Sequence, residues 1–112
     1  LHELAAASGL EMVVQEARLP VSAAVARCCE LLGLDPLDLA NEGRCLVLVA
    51  PEDLDTALAL LRPIGGAWVG EVRHPPRPGG SAGAVSRVLV QTRYGSERVL
   101  APSSGELLPR IC

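Results

Sequence analysis

The chain of 112 residues is long enough for one modest hydrophobic core and short of a second. Its net charge of −3, with ten cations that are all arginine, excludes a basic surface for nucleic acid or anionic lipid; the lack of lysine excludes a Schiff-base lysine and a P-loop lysine. Apolar residues make up 49% of the chain, yet there is no Phe, one Trp and one Tyr, so the core has to be built from Leu, Val and Ala.

In chain order, residues 1–8 form a short helix stopped by Gly9, a residue at home in the left-handed conformation of a helix C-cap. Residues 10–16, with Met12, Val13 and Val14, predict a first strand. Pro20 precedes an amphipathic helix with Ser22 as N-cap and Gly33 as stop. Val21, Val25, Cys28 and Leu32 fall at helical spacing and predict its buried stripe. Asp35-Pro36 opens a short helical turn, and Asn41-Glu42-Gly43 is a turn.

Residues 45–50 are a nearly continuous apolar run, the pattern of a strand covered on both faces. Pro51, Glu52 and Asp53 then suit the first turn of a helix, where the missing N–H is harmless and negative charge meets the positive end of the dipole. Leu54, Leu58 and Leu61 give its apolar face, and Pro63 blocks continuation. Residues 67–73 predict a third strand, with Trp68 in the core. Residues 86–92 and 97–101 predict a hairpin around Tyr94-Gly95-Ser96. The order β-α-β-α-β-β-β predicts a mixed sheet with helices mainly on one face, a two-layer α/β sandwich.

Residues 74–83, His-Pro-Pro-Arg-Pro-Gly-Gly-Ser-Ala-Gly, are expected to form a surface loop. Gly79-Gly80-Ser81-Ala82-Gly83 lacks the order of a phosphate-binding loop and leads into a strand rather than a helix. Cys28, Cys29 and Cys45 have the character of small buried core residues, since no two cysteines stand at metal-ligand spacing with a histidine nearby. His2 and His74 offer no ligand pattern, so no metal site is expected. Reduced thiols, the lack of a secretory signal and the lack of an apolar run near the roughly 18–20 residues of a membrane span predict a cytoplasmic protein with no membrane partner. The chain opens on Leu1 rather than Met, as a fragment or processed product would.

The final residue, Cys112, has nothing after it to pack it into a core. Ser103, Ser104, Gly105 and Pro109 disfavour a helix or central strand there. Ten extended residues reach roughly 30 Å at about 3.3 Å each. These features predict a body, residues 1–102, followed by a mobile tail, residues 103–112, that carries a thiol. The ending Leu108-Pro109-Arg110-Ile111-Cys112, preceded by Ser104-Gly105-Glu106, resembles the C-terminus of the HypE family, the hydrogenase maturation proteins that build the cyanide ligands of the nickel–iron site. Leu31-Leu32-Gly33-Leu34-Asp35-Pro36, Leu39-Ala40-Asn41-Glu42-Gly43 and Pro51-Glu52-Asp53 resemble that family in the same order. Only the family's C-terminal part is represented, without its N-terminal ATP-binding domain.

The resemblance implies the C-terminal domain shared with aminoimidazole ribonucleotide (AIR) synthetase and selenophosphate synthetase. It implies that Cys112 accepts a carbamoyl group from the carbamoyltransferase HypF. The full-length protein then uses ATP and Mg2+, bound mainly by the absent domain, to dehydrate that group to a thiocyanate, and the nitrile passes to iron on the HypC–HypD complex. A homodimer is implied for the full-length protein, and this chain alone is expected to be inactive and to hold no cofactor. Matching the family's motif, Glu42 is the candidate base and Asn41 the residue that orients the amide. The α-carboxylate beside Cys112 opposes ionisation of a thiol whose ordinary pKa is about 8.5, and Arg110 partly offsets it. The rival readings are a non-catalytic α/β interaction or ligand-binding module, and a fragment of another AIR or selenophosphate synthetase-type enzyme.

Overall fold

The computed structural model describes residues 1–39, 41–76 and 87–102. They fall into two compact units, one of Leu1–Leu19 with Trp68–Pro102 and one containing Pro20–Ala67.

The first unit opens with helix α1, His2–Ser8, which ends on Gly9 at φ 69°. Strand β1, Glu11–Gln15, follows at once. It is one of the two inner strands of a mixed sheet completed by β2, Gly70–Arg73, β3, Val88–Gln91, and β4, Glu97–Val99, in the order β2-β1-β3-β4. β1 runs antiparallel to β2 and parallel to β3, and β3 and β4 form the antiparallel hairpin. The mixed α/β sheet expected from the sequence is therefore what the chain forms. One sheet face carries Met12 and Val14 beside Val88 and Val90, all buried. Ala5 of α1 packs on Met12 and Val88, with Leu1 and Leu100 at the margin.

Gly70 is required by a close backbone approach: a Cβ there would stand 2.0 Å from the Val13 carbonyl oxygen. Gly70→Ala must push β2 away from β1, and a loss of about 1–3 kcal/mol is expected, read as a lower denaturant midpoint at unchanged slope.

The opposite face carries a four-residue ion network. Glu11 is fully buried. Its Oε1 accepts from Arg87 Nε at 2.9 Å and Nη2 at 2.6 Å, and its Oε2 accepts from Arg73 Nε at 3.1 Å. Arg73 also donates from Nη1 and Nη2 to both carboxylate oxygens of Glu97, at 3.1 and 2.8 Å. Burial pushes the Glu11 carboxyl up, but the hydrogen bonds and charges of Arg87 and Arg73 outweigh it and hold it below the usual range. The Arg73 hydrogen bonds hold Glu97 below it as well. Carboxylates with depressed folded-state pKa values stabilise fully above the unfolded value of about 4.3, and the contribution is lost as pH falls through the folded values. Stability should thus fall below about pH 5. Glu11→Ala should remove that part of the acid sensitivity. At neutral pH it should cost about 2–3 kcal/mol, because Arg73 and Arg87 are half-exposed and regain water. Thermal melts of both proteins from acid to neutral pH check this; superimposable profiles would refute it.

The second unit contains α2, Ala23–Leu32, and α3, Leu54–Leu61. Ser22 Oγ accepts from the Val25 amide at 3.3 Å, and Gly33 closes α2 at φ 67°. Leu54, Leu58 and Leu61 are half-buried, as the apolar stripe of α3 predicts. Two expectations fail here. Residues 45–50 join no ladder among the described residues, and Leu46, Val47, Leu48 and Val49 are each at least 40% exposed. A strand is defined by its partner, and an apolar run does not name one. The α2 stripe is also uncovered: Val21, Val25, Cys28 and Leu32 are exposed and only Cys29 is buried. Periodicity identifies which helix face is apolar; burial needs a second surface, and no described residue supplies it. Cys45 is exposed for the same reason, so two of the three cysteines expected in the core lie outside it.

Candidate functional site

The turn carrying Asn41, Glu42 and Gly43 is positioned by the segment before it. Asp35 Oδ1 accepts from the Leu37 amide at 3.0 Å and caps a single helical turn, Pro36–Asp38. That turn fixes the direction in which the chain leaves α2. Gly43 takes φ 71°, the left-handed conformation that reverses the backbone. Asn41 and Glu42 are exposed, and no hydrogen bond or ion pair ties the Glu42 carboxylate to another described residue. Cys112 lies outside the described residues, as do Ala40 and residues 77–86, which hold most of the Pro- and Gly-rich segment. Of the three residues expected at the site, the structure describes Asn41 and Glu42, which are neighbours in the chain.

Beside this turn in sequence, Ala24, Val25, Cys28, Cys29, Leu32, Leu34 and Leu39 line a groove of about 310 Å³. Its lining is entirely apolar, so it suits a hydrocarbon side chain and offers no acid, base or anion ligand. Among the described residues, no three His, Cys, Asp or Glu side chains come together to hold a metal. None of their helices is long and apolar enough to cross a membrane. Trp68, expected in the core, is half-buried and covered by the Arg18 guanidinium 4.4 Å from its ring centroid.

The Glu11 network is the charged cluster that sequence reading missed. The available signal was a lone carboxylate inside the apolar run of β1, which demands a cationic partner, together with Arg73 and Arg87 at the edges of the 74–86 segment.

The profile of the family described as AIR synthase related protein, C-terminal domain, matches residues 1–83. Carbamoyl dehydratase HypE of Cupriavidus necator is 42% identical over 116 residues, and that of Bradyrhizobium diazoefficiens is 41% identical over 116. Each alignment covers all of this chain and 31% of the relative, so the chain spans about a third of the length of the curated relatives it matches. A crystal structure of hydrogenase maturation protein HypE superposes with a TM-score of 0.85 at 39% identity, covering all of this chain and 36% of that one. HypE in complex with ATP gives 0.83 at 37% identity, covering 100% and 33%. A HypE–HypF complex gives 0.78 at 29% identity, covering 92% and 32%.

Proposed function

The chain belongs to the family of AIR synthase related C-terminal domains, and from that premise we propose that it is the C-terminal part of a HypE-type carbamoyl dehydratase whose last residue carries the substrate. The observation that carries this reading is the full coverage of the chain, through Cys112, by relatives named carbamoyl dehydratase HypE. In this reading residues 1–102 are the body, and residues 103–112 are the arm that delivers Cys112 to two successive active sites.

In the first step the thiolate attacks an activated carbamoyl group on the HypF partner, forming the S–C bond as the activating group departs. In the second, ATP phosphorylates the carbamoyl oxygen. A base then takes the amide protons while phosphate leaves, giving S-bound nitrile. Glu42 is the proposed base and Asn41 the residue that orients the amide. A HypE structure in complex with ATP supports the use of ATP; Mg2+, and binding of both by the part of the longer protein outside this chain, belong to the proposal. The HypE–HypF complex supports the carbamoyl donor, and the HypC–HypD complex is the proposed acceptor of the nitrile. Cytoplasmic location and a homodimeric full-length protein complete the proposal.

The test is to incubate the chain with HypF, carbamoyl phosphate and ATP, followed by mass spectrometry of the C-terminal peptide. One added carbamoyl mass on Cys112 is expected, and an unmodified peptide in the full-length protein overturns the reading. The exposed apolar run Leu46–Val49 favours one rival, a purely interacting module. That rival predicts partner binding that is indifferent to Cys112.

A further inference from the structure

β4 is a three-residue strand with every residue exposed, and among the described residues it pairs along one side only, with β3. Such a strand is marginal by itself. Two contacts secure its ends. At the far end the Leu100 amide donates to the Val88 carbonyl at 2.8 Å, and the Leu100 side chain packs on Ala5, Met12 and Val88. At the near end Arg73 grips both carboxylate oxygens of Glu97. Arg73 belongs to β2, the opposite edge of the sheet, so this ion pair ties one edge strand to the other. Its aim is set by Glu11, which accepts from Arg73 Nε at the centre of the sheet and is itself held by Arg87. Two residues past Leu100 comes Pro102, which has no N–H to extend the ladder, and residues 103–112 follow.

We infer that the Arg73–Glu97 fork, aimed by Glu11, is a positioning device that fastens β4 and so fixes the point from which residues 103–112 are presented. Glu11 and Arg73 lie within the family match at residues 1–83, whereas Arg87 and Glu97 lie beyond it. The network therefore fastens the C-terminal hairpin to the family domain. Its bearing on catalysis rests on the reading of Cys112 as carrier; the fastening itself does not.

The experiment measures residue-level amide exchange on the full chain and on Glu97→Gln and Arg73→Lys. The glutamine keeps the shape of Glu97 without its charge, and the lysine keeps the charge of Arg73 without its two-pronged geometry. Exchange at Leu100 is expected to rise about fivefold in both, the upper range for a partly exposed ion pair. Met12 in β1 stays unchanged in Glu97→Gln, which leaves the contact of Arg73 with Glu11 in place. The same variants should raise KM for carbamoyl transfer to Cys112 at unchanged kcat. Unchanged exchange at Leu100 in both variants, or an equal rise at Met12 in Glu97→Gln, overturns the fastening. Faster exchange at Leu100 with an unaltered KM overturns its role in presentation. A full-length wild-type protein that accepts no carbamoyl group overturns the carrier reading, and the exchange data still decide the fastening.

Discussion

Replacing Cys112 with alanine in the full-length protein is expected to abolish carbamoyl incorporation, while Cys28→Ala and Cys45→Ala accept the group at the wild-type rate. The comparison is needed because Cys28 and Cys45 are both exposed, so an added mass alone does not identify the acceptor. Three features separate the thiols. Cys28 is set in α2 on the wall of the apolar groove and Cys45 stands at the head of an apolar run. Each has backbone on both sides, which blocks passage into a partner's active site. In the proposed reading Cys112 ends the arm, ten positions past Pro102. In the proposed transfer the donor selects the sulfur that can reach it, and misplacement by about 1 Å already costs on the order of 100-fold in rate. Thiol reactivity toward a small alkylating reagent should not discriminate among the three so sharply, because a small reagent comes to the thiol. Carbamoylation of the alanine variant, or its loss in Cys28→Ala or Cys45→Ala, would move the acceptor away from the chain end.

What could be read from the sequence divides along the range of the interaction responsible. Ser22 and Gly33 bracket α2 as expected because a cap is satisfied within three or four residues. The Asn41-Glu42-Gly43 turn is equally local, and Gly43 adopts the conformation that the residue type suggests. Residues 45–50 have the composition of a strand, but a strand is completed by a partner, and composition names none. The same gap explains α2, whose apolar stripe has helical spacing and lies exposed. Glu11 is the sharpest case. Its arginine partners are 62 and 76 positions away, so nothing near Glu11 in the chain shows how its charge is compensated. A carboxylate in a run as apolar as that of β1 is itself a prediction of distant arginines, since an unpaired charge would not be tolerated there. The same division separates the proposed roles of Asn41 and Glu42, which rest on a short motif resembling that of the HypE family, from the ion network, which emerges only once four strands are side by side.

Glu42→Gln should separate the two chemical steps. Carbamoyl transfer to Cys112 needs no proton from the substrate amide on this protein, so incorporation should proceed at the wild-type rate. Dehydration requires removal of the amide protons as phosphate leaves, and loss of a positioned base lowers such a step by about 10²–10⁴. The variant should therefore accumulate S-carbamoyl protein in the presence of ATP, visible by mass as a species that fails to lose water. Structure makes this substitution unusually clean. Glu42 is exposed, and it makes no hydrogen bond or ion pair with another described residue. Its replacement by an isosteric amide should change stability by no more than about 0.5 kcal/mol. An unfolded variant would lose both steps together, whereas a variant lacking only its base loses the second. Glu42→Asp supplies the complementary control, since a shortened carboxylate keeps the chemistry and loses reach; its rate should fall between wild type and the glutamine variant. Dehydration by Glu42→Gln at the wild-type rate would assign the proton to another group. Asn41→Ala would then become the informative variant, because an amide that orients the substrate affects the rate without accepting a proton.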